Sequence, residues 1–482
     1  MSRDDVDVLI VGAGLSGIDA AYHLQTTLPG LSYAIVEARA AMGGTWDLFR
    51  YPGIRSDSDM YTLGFPFRPW PTARGIAGGA DILAYLRDTA SHYGIDRHIR
   101  YRHRVDRAAW DSATAKWTVH ASNPDTGARH AITCRFLFLA AGYFHYDHGF
   151  TPELPGRASF AGRVVHPQAW TPDIATANKR VVVIGSGATA VTLVPALAAT
   201  AAHVTMLQRS PTYIMSRPAE DPATAWLRRN LPAGTAAELA RWKSVLLTTA
   251  FYAYCRRFPD RAKQMLVDGV AAQLRDPEAA AAHFTPSYKP WDQRLCLVPD
   301  GDLFGAIRSG RAEVVTDHVD TFTPRGIQLR SGRHLDADVI VTATGLRLRA
   351  FGGADLVVDG RPVKLPDVMT YKGMMCSDVP NLAFAIGYTN ASWTLKCDLT
   401  SRFVCRVLTH MQRHGKRVVV ARRDPGVARA PIIDFTSTYV ARYIDQFPSQ
   451  GAVAPWRLYQ NYAFDLASLK YARLEDRALQ FT

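Results

Sequence analysis

The chain has 482 residues, of which 48% are hydrophobic and 21% are charged. This length is too great for one ordinary domain, and the composition is typical of a globular protein with a sizeable core, which excludes a disordered chain. The formal net charge is +13, but no basic block carries it, so a basic surface that attracts anionic cofactors is favoured over a nucleic-acid groove. Weak attachment to an anionic membrane is the main alternative.

The first predicted elements are a buried strand at residues 6–11, a helix at 16–27 and a second strand at 32–37. The loop between the first two reads GAGLSG. Gly12 allows a tight turn, Gly14 allows a pyrophosphate to approach the backbone, and Gly17 allows the helix to pack on the strand. Glu37 ends the second strand and can accept hydrogen bonds from a ribose diol. The pattern predicts a dinucleotide site, and its position at the start of the chain favours FAD.

A further apolar strand at residues 136–142 ends this unit, and a linker at 151–162 leads to a second strand, loop and helix at 180–199. No acid follows the next strand, which ends in Gln208, Arg209 and Ser210. An acid there would repel a 2′-phosphate, whereas Arg209 and Ser210 can bind one. The second site is therefore predicted to bind NADPH rather than NADH, with its loop formed by Gly185, Ser186, Gly187, Ala188, Thr189 and Ala190.

Residues 219–283 are rich in Ala, Arg and Leu at helical spacing, and we interpret them as a helical insertion. Strand patterns return at 312–316, 337–345 and 381–387, and a helical pattern covers 400–414. The predicted fold class is α/β, with two Rossmann-like dinucleotide-binding domains and this insertion. The predicted boundaries are 1–149 and 379–482 for the FAD-binding domain with the C-terminal segment, 150–216 and 292–378 for the NADPH-binding domain, and 217–291 for the insertion.

The six cysteines form no C-x-x-C pair and no metal-ligand spacing, so we expect isolated thiols in a reducing compartment and no metal site. The first strand begins almost at once, which argues against a secretory leader. No run approaches the roughly 20 apolar residues that span a bilayer. These features predict a soluble, cytoplasmic protein.

Two longer motifs carry a family resemblance. Phe160, Gly162, His166 and Trp170 match F-x-G-x-x-x-H-x-x-x-W, and residues 43–57 match G-G-x-W followed by Y-P-G-x-x-x-D. Both resemble the Baeyer–Villiger monooxygenases. The family often has Pro or Asp after the tryptophan, where this chain has Thr171. Related flavin monooxygenases that oxidise heteroatoms share the first part of the linker motif but usually lack the tryptophan.

The resemblance implies an enzyme that uses FAD, NADPH and O₂ to convert ketones into esters or lactones through a flavin peroxide, and that can also oxidise sulfides and thioamides. It implies that Arg294 supplies a fixed positive charge for developing oxyanions and that Asp57 orients Arg294. It also implies that His166 couples domain motion to NADPH binding. Further cofactor contacts implied are Ser16, Gly44, Thr45, Trp46, Asp47, Asp57 and Val105 for FAD, and Arg55 for NADPH.

Several positions near these motifs are less typical. Many relatives have a lysine for NADPH phosphate where this chain has Gln293, and Lys289 is a candidate substitute. Residues 339–345 resemble a recurrent strand and turn that ends at Gly345 and allows close approach of a cofactor. Trp456 and Asn461 belong either to a mobile loop over the site or to simple packing of the last segment.

Three alternative functions compete with the leading one. A heteroatom monooxygenase would oxidise sulfides, amines or thioamides without forming esters, and Arg294 and Trp170 argue against this as the main activity. A disulfide reductase would need a C-x-x-C pair, which the chain lacks. A non-catalytic flavin-binding sensor would not consume oxygen with NADPH. Motifs of hydrolases are absent.

Overall fold

The computed structural model describes residues 4–433 and 435–482. Its strands are β1 (Asp5–Val11), β2 (Tyr33–Val36), β3 (Ile99–Arg100), β4 (Arg104–Asp111), β5 (Lys116–Ser122), β6 (Arg129–Leu139), β7 (Arg163–Val165), β8 (Arg180–Ile184), β9 (His203–Gln208), β10 (Ile214–Arg217), β11 (Cys296–Pro299), β12 (Ala312–Thr316), β13 (Val319–Thr323), β14 (Gly326–Leu329), β15 (His334–Asp336), β16 (Val339–Thr342), β17 (Asp355–Val358), β18 (Arg361–Pro362), β19 (Thr370–Tyr371), β20 (Met375–Cys376), β21 (Leu382–Phe384), β22 (Val419–Ala421), β23 (Arg429–Pro431), β24 (Ser449–Gly451) and β25 (Leu479–Phe481).

The α-helices are α1 (Leu15–Thr27), α2 (Thr45–Leu48), α3 (Met60–Leu63), α4 (Gly79–His92), α5 (Ala188–Ala198), α6 (Pro222–Asn230), α7 (Ala233–Arg257), α8 (Pro259–Leu274), α9 (Pro277–His283), α10 (Asp302–Arg308), α11 (Trp393–Arg413), α12 (Thr438–Ala441) and α13 (Tyr462–Asp465). Short 3₁₀ turns lie at Ile95–His98, Arg157–Ser159, Pro167–Ala169, Ala350–Gly353, Leu365–Asp367 and Ile444–Gln446, and a π-helical turn lies at Leu466–Tyr471.

The first sheet is parallel at its centre, where β3, β2, β1, β6 and β21 run side by side. Its strand β1 and the following helix α1 enclose the first glycine loop. The sheet then continues through the antiparallel meander β4–β5–β6, which the alternating strand-and-helix prediction did not contain. The meander packs Trp110 and Trp117 into the core on one face of the sheet.

The second sheet contains only parallel strands, in the order β12-β9-β8-β16-β7. Its strands β8 and β16 are almost wholly apolar and buried, as expected when helices cover both faces of a parallel sheet. The linker motif contributes β7 as an edge strand, in register with β16. The predicted α/β class, with two dinucleotide-binding units, is therefore the observed one.

The insertion forms the four helices α6 to α9, and its strand-free pattern in the sequence agrees with this. In the described part of the chain, no helix is long and apolar enough to cross a membrane. All six cysteines lie buried with free thiols. Burial raises the pKa of Cys134 and of Cys397, which keeps both as uncharged thiols at neutral pH.

A buried polar cluster joins α1 to α11 behind the first glycine loop. The imidazole Nε2 of His23 lies 2.8 Å from Oδ1 of Asp398, and the other Asp398 oxygen accepts a hydrogen bond of 2.8 Å from Nε of Arg402. Asp19 is fully buried beside them. Within the described part of the chain neither of its oxygens has a hydrogen-bond partner at normal distance, and Nε2 of His23 lies 3.8 Å from Oδ1. Burial raises the pKa of Asp19 to about 7.

This raised pKa predicts a pH-dependent penalty on the fold. Because Asp19 titrates near 3.8 when unfolded and near 7 when folded, the folded state loses stability as the pH rises between these values. Asp19→Asn should stabilise the holoenzyme by about 1–3 kcal/mol at about pH 8 and have no such effect at about pH 4. Thermal unfolding of both proteins across this range measures the difference. A variant that is less stable than the parent at about pH 8 would contradict the assignment.

Candidate functional site

A cavity of about 770 Å³ lies between the two glycine-rich loops, and residues that follow strands of both sheets line it. The N-terminal ends of α1 and α5 both open onto it, through Gly14 and Gly187. Neither helix has a side-chain cap, so the first N–H groups of both are free to bind anions. Two such ends in one cavity fit the pyrophosphates of two dinucleotides.

The first glycine loop is sterically fixed. A Cβ at Gly17 would lie 1.9 Å from the carbonyl oxygen of Gly12, so only glycine lets α1 pack this closely on β1. Gly12 itself has a positive φ of 108°, which favours glycine. Glu37 is buried, and its two carboxylate oxygens accept hydrogen bonds of 2.9 Å from the backbone N–H groups of Ala13 and Arg39. Glu37 therefore holds the loop in shape, and the lone pairs that remain are those available to a ribose.

Two of the residues implied for FAD lie behind the cavity wall. The carboxylate of Asp47 is buried and pairs with Arg39 at 2.6 Å and with Arg50 and Arg87 at 3.2 Å. Val105 is buried in β4. Neither side chain lines the cavity, and Val105 belongs to the core of the first sheet.

In the second loop, Ser186 and the end of β9 are hydrogen-bonded together. The Ser186 hydroxyl lies 3.0 Å from the carbonyl oxygen of Ser210 and 2.9 Å from the hydroxyl of Thr212. The Gln208 amide is buried and donates to the carbonyl of His283 and to the hydroxyl of Thr316. Gln208 is thus a structural residue that ties α9 to the sheet, whereas Arg209 and Ser210 line the cavity.

Arg442 is a cavity residue that the sequence motifs did not reveal. Its guanidinium lies 3.5 Å from the centre of the Phe150 ring. Burial lowers its pKa. Arg209 lines the same cavity, and among the residues described by the structure neither arginine has a carboxylate partner within salt-bridge distance. Two guanidinium groups that face one cavity make it suited to bind an anionic ligand.

Arg294 and Asp57 form a bidentate ion pair at the cavity wall. Nε and one Nη of Arg294 each donate a hydrogen bond of 2.7 Å to a different oxygen of Asp57. The Asp57 charge raises the pKa of Arg294 above its usual range, so the guanidinium is permanently charged. Its side chain remains 37% exposed, which leaves donor groups facing the cavity. The pair joins the loop before α3 to the loop before β11.

The neighbouring basic residues differ in their access to the cavity. Arg55 lines the cavity, but its guanidinium also forms an ion pair of 2.5 Å with Asp302, which is the first residue of α10. Gln293 lines the cavity, whereas Lys289 is exposed and does not. The structure therefore gives no support to Lys289 as the substitute for the missing lysine, and Arg442 is better placed.

The linker motif lies behind the cavity and connects its two sides. Nε2 of His166 lies 3.1 Å from the carbonyl oxygen of Gly345, and Nδ1 accepts a hydrogen bond from the backbone N–H of Gln168. The Gln168 amide donates to the carbonyls of His145 and Tyr146 on the side of the first sheet. Burial lowers the pKa of His166, which favours the neutral imidazole.

The other motif residues of the linker serve packing. Phe160 is buried against Phe322 of β13. A Cβ at Gly162 would lie 2.4 Å from the carbonyl oxygen of Asp338. Trp170 packs at the edge of the core that includes β8 and α5.

The predicted residues that line the cavity are Gly14, Ser16, Gly44, Thr45, Trp46, Arg55, Asp57, Gly185, Ser186, Gly187, Ala188, Thr189, Arg209, Ser210 and Arg294. Those that do not line it are Gly12, Gly17, Glu37, Asp47, Val105, Ala190, Gln208, Phe160, Gly162, His166 and Trp170. The second group sets the backbone or packs behind the first.

Two walls of the cavity consist of residues that the sequence motifs did not predict. Tyr143 stacks on Trp393 with ring centres 5.1 Å apart, and Trp393 Nε1 donates to the Ser16 hydroxyl. The segment from Ile432 to Arg442, apart from the undescribed Asp434, supplies a second wall that includes Tyr439. An aromatic residue beside a predicted glycine turn, as at Tyr143, was the only signal available.

The two C-terminal candidates have structural roles. Trp456 is buried in the core against Tyr371. The side chain of Asn461 caps α13 by accepting from the backbone N–H of Phe464. Neither residue lines the cavity, but the neighbouring Leu458 and Gln460 do, so the same segment passes along the site.

Comparison with protein families and solved structures agrees with this architecture. Residues 6–234 match the family model described as pyridine nucleotide-disulphide oxidoreductase. Over 87% of this chain, the structure is similar to an oxidised steroid monooxygenase bound to NADP, with 26% identity, a TM-score of 0.72 and 88% of that chain covered. A cyclohexanone-bound cyclohexanone monooxygenase shares the fold at 22% identity and a TM-score of 0.70, over 87% of this chain and 89% of that one. The fold and the site thus define a two-dinucleotide flavoprotein of the monooxygenase type.

Curated relatives place the chain more closely. It is 53% identical to the FAD-containing monooxygenase EthA of Mycobacterium tuberculosis over 99% of this chain and 98% of that protein. It is 44% identical to the probable FAD-binding monooxygenase AlmA of an Acinetobacter species, over 99% and 96%. The chain belongs to the family of FAD-containing monooxygenases and is an oxidoreductase. The C-x-x-C pair of a disulfide reductase is absent from its sequence.

Proposed function

We propose that this chain is a Baeyer–Villiger monooxygenase that uses FAD, NADPH and O₂ to convert ketones into esters or lactones, and that it also oxidises sulfides and thioamides such as ethionamide. The observation that carries the proposal is the Arg294–Asp57 pair, with both oxygens of Asp57 engaged at 2.7 Å, at the cavity where two dinucleotide loops meet. Attack on a ketone carbonyl develops an oxyanion that a fixed cation stabilises. Oxygen transfer to sulfur or nitrogen involves no carbonyl and does not need this cation.

The cavity fits the two cofactors. Gly14, Ser16, Gly44, Thr45 and Trp46 would hold FAD at the end of α1. A Cβ at Gly14 would lie 3.6 Å from the Cα of Gly44, so any larger side chain would intrude between the two loops. Bound FAD would supply the redox chemistry, namely hydride acceptance from NADPH and activation of oxygen. The two glycine-rich helix ends would supply N–H groups to both pyrophosphates.

The NADPH side of the proposal rests on the arginine pair. Arg209 and Ser210 would bind the 2′-phosphate, as their position after β9 predicts. Arg442 would supply the second cation that Gln293 cannot. Its stacking on Phe150 at 3.5 Å fixes the guanidinium plane, which reduces the entropy lost when a phosphate binds.

Arg294 would bind the oxyanion that develops at the substrate carbonyl. Its charge does not depend on the working pH, and Asp57 holds its plane in one orientation. Asp57 would therefore act as a positioning residue. The aromatic wall of Tyr143 and Trp393 would exclude water from the same region.

Formation of an ester from a methyl ketone, dependent on both NADPH and oxygen, tests this function. The amount of ester formed should be proportional to the amount of NADPH consumed when the ketone is present. Purified enzyme that oxidises an aryl methyl sulfide under the same conditions but forms no ester would instead be a heteroatom monooxygenase.

His166 should matter for the timing of the reaction rather than for proton transfer. Because it bonds to Gly345 and lies outside the cavity, His166→Ala should slow the steps that follow NADPH binding by about tenfold while leaving affinity for FAD unchanged. Stopped-flow traces of flavin reduction and reoxidation measure these steps. His166→Ala traces identical to those of the parent at every step would contradict a coupling role. Gln168→Ala should slow the same steps as His166→Ala.

A further inference from the structure

The insertion carries most of the large hydrophobic side chains that are exposed in the described part of the chain. Nine large hydrophobic side chains are exposed by 42% or more, and six of them lie between residues 226 and 265. These six are Trp226, Leu239, Leu246, Leu247, Phe258 and Met265. Single exposed apolar residues are ordinary, but a cluster on one unit marks an interaction surface.

Helix α7 orients part of this cluster outward. Leu239 and Leu246 are seven residues apart, and the exposed Ala250 and Ala253 continue the same helical face. The buried residues of the helix, such as Ala240 and Ser244, lie on a different face, against the body of the protein. We call the outward residues Leu239, Leu246, Ala250 and Ala253 the α7 face.

Basic side chains flank the α7 face at its C-terminal end. The guanidinium groups of Arg257 and Arg261 lie 5.4 Å and 5.7 Å from the centre of the exposed Phe258 ring. Apolar side chains with arginines beside an exposed aromatic ring form the composition that binds the headgroup region of anionic bilayers. The formal charge of +13 adds long-range attraction to such a surface.

A second cavity leads from this surface to the catalytic pair. It has a volume of about 150 Å³, and Leu247 and Phe251 of α7 contribute to its wall. Arg294 and Asp57 line both this cavity and the main one. Leu247 is 57% exposed, so this one side chain belongs both to the wall of the second cavity and to the protein surface beside the α7 face.

We propose that the α7 face docks on the surface of an anionic lipid bilayer, and that the second cavity is the route by which apolar substrates pass from the bilayer to Arg294. The docking depends only on the surface, whereas the route also rests on the proposed monooxygenase function. Attachment is peripheral, since no described helix can span the membrane. Apolar ketones concentrate in lipid, so a mouth at the lipid surface shortens their path through water.

Vesicle binding by the FAD-loaded protein tests the docking. Flotation with vesicles of phosphatidylglycerol and phosphatidylcholine should recover the protein at low salt, with less recovered at high salt and on pure phosphatidylcholine. The double variant Leu239→Glu/Leu246→Glu should lower the partition coefficient by about tenfold or more. The matched control Val453→Glu/Tyr471→Glu changes two exposed apolar residues elsewhere and should bind as the parent does.

Three outcomes would overturn the docking. In the first, the parent protein does not bind the anionic vesicles, and in the second the double variant binds them as well as the parent does. In the third, the parent sediments as a dimer and Leu239→Glu/Leu246→Glu sediments as a monomer, which would assign the face to a second copy of this chain.

Kinetics with two ketones test the route. Oxidation of a short, water-soluble ketone should be the same for the double variant and the parent, since both changed residues lie outside the cavities. Oxidation of a long-chain ketone dissolved in the anionic vesicles should fall by about fivefold or more in the double variant. Equal rates on the vesicle-bound ketone would overturn the route. Absence of ester from either ketone in the parent would refute the proposed function, and the vesicle binding would still stand.

Discussion

Arg294→Ala should reduce ester formation by on the order of 10³-fold while NADPH-driven reduction of the flavin stays within a factor of about three of the parent. Removing the guanidinium takes away the fixed charge at the cavity wall and leaves the Asp57 carboxylate unpaired there. Both changes disfavour an oxyanion. Hydride transfer to the flavin occurs without that oxyanion, so it should not share the loss. Rapid mixing under anaerobic conditions, followed by product analysis in air, measures the two steps separately.

Arg294→Lys is the matched control, because it keeps the charge but cannot make two parallel hydrogen bonds to Asp57. It should retain more ester formation than Arg294→Ala and still fall below the parent. Asp57→Asn should show an intermediate loss, since the arginine would keep its charge and lose its orientation. Full ester formation by Arg294→Ala would remove the basis of the proposed chemistry.

Arg209→Ala should raise the Michaelis constant for NADPH by about 10- to 100-fold and that for NADH by less than about threefold. NADH lacks the 2′-phosphate, so it has nothing for this guanidinium to bind. Arg442→Ala should shift the same ratio in the same direction, because its guanidinium lines the same cavity as Arg209 and has no carboxylate partner among the described residues. Steady-state kinetics with both coenzymes provide the ratio.

Arg157→Ala, at an exposed arginine outside the cavity, should leave both constants unchanged. Equal effects of Arg209→Ala on NADPH and NADH would show that the arginine acts on a part common to both coenzymes. An effect of Arg209→Ala without any effect of Arg442→Ala would restrict the phosphate site to the end of β9.

The two dinucleotide loops could be predicted because local geometry demands their residues. Gly17 has no room for a side chain. An apolar strand followed by such a glycine loop is typical of a dinucleotide-binding unit. The pairing of Arg294 with Asp57 was also foreseen, although 237 residues separate them, because both belong to family motifs. Spacing alone could not have brought them together.

The remainder of the site depends on tertiary contacts. Arg442 carries no local motif, and it becomes a site residue only because the segment after Ile432 packs on the core of the first sheet and passes along the cavity. Conversely, Gln208 and Asp47 occupy motif positions, yet their polar groups are engaged by His283 and by arginines behind the cavity. The antiparallel meander β4–β5–β6 was not predicted, although β5 alternates between buried apolar and more exposed polar residues, because a strand-and-helix unit was expected there.

The most direct test of the central claim is product analysis by mass spectrometry with NADPH and isotopically heavy O₂, with a methyl ketone and an aryl methyl sulfide offered together. A Baeyer–Villiger monooxygenase should yield an ester that carries one heavy oxygen atom, alongside the sulfoxide, and Arg294→Ala should lose the ester far more than the sulfoxide. A sulfoxide without any ester from the parent enzyme would refute the Baeyer–Villiger activity and leave Arg294 without its proposed role.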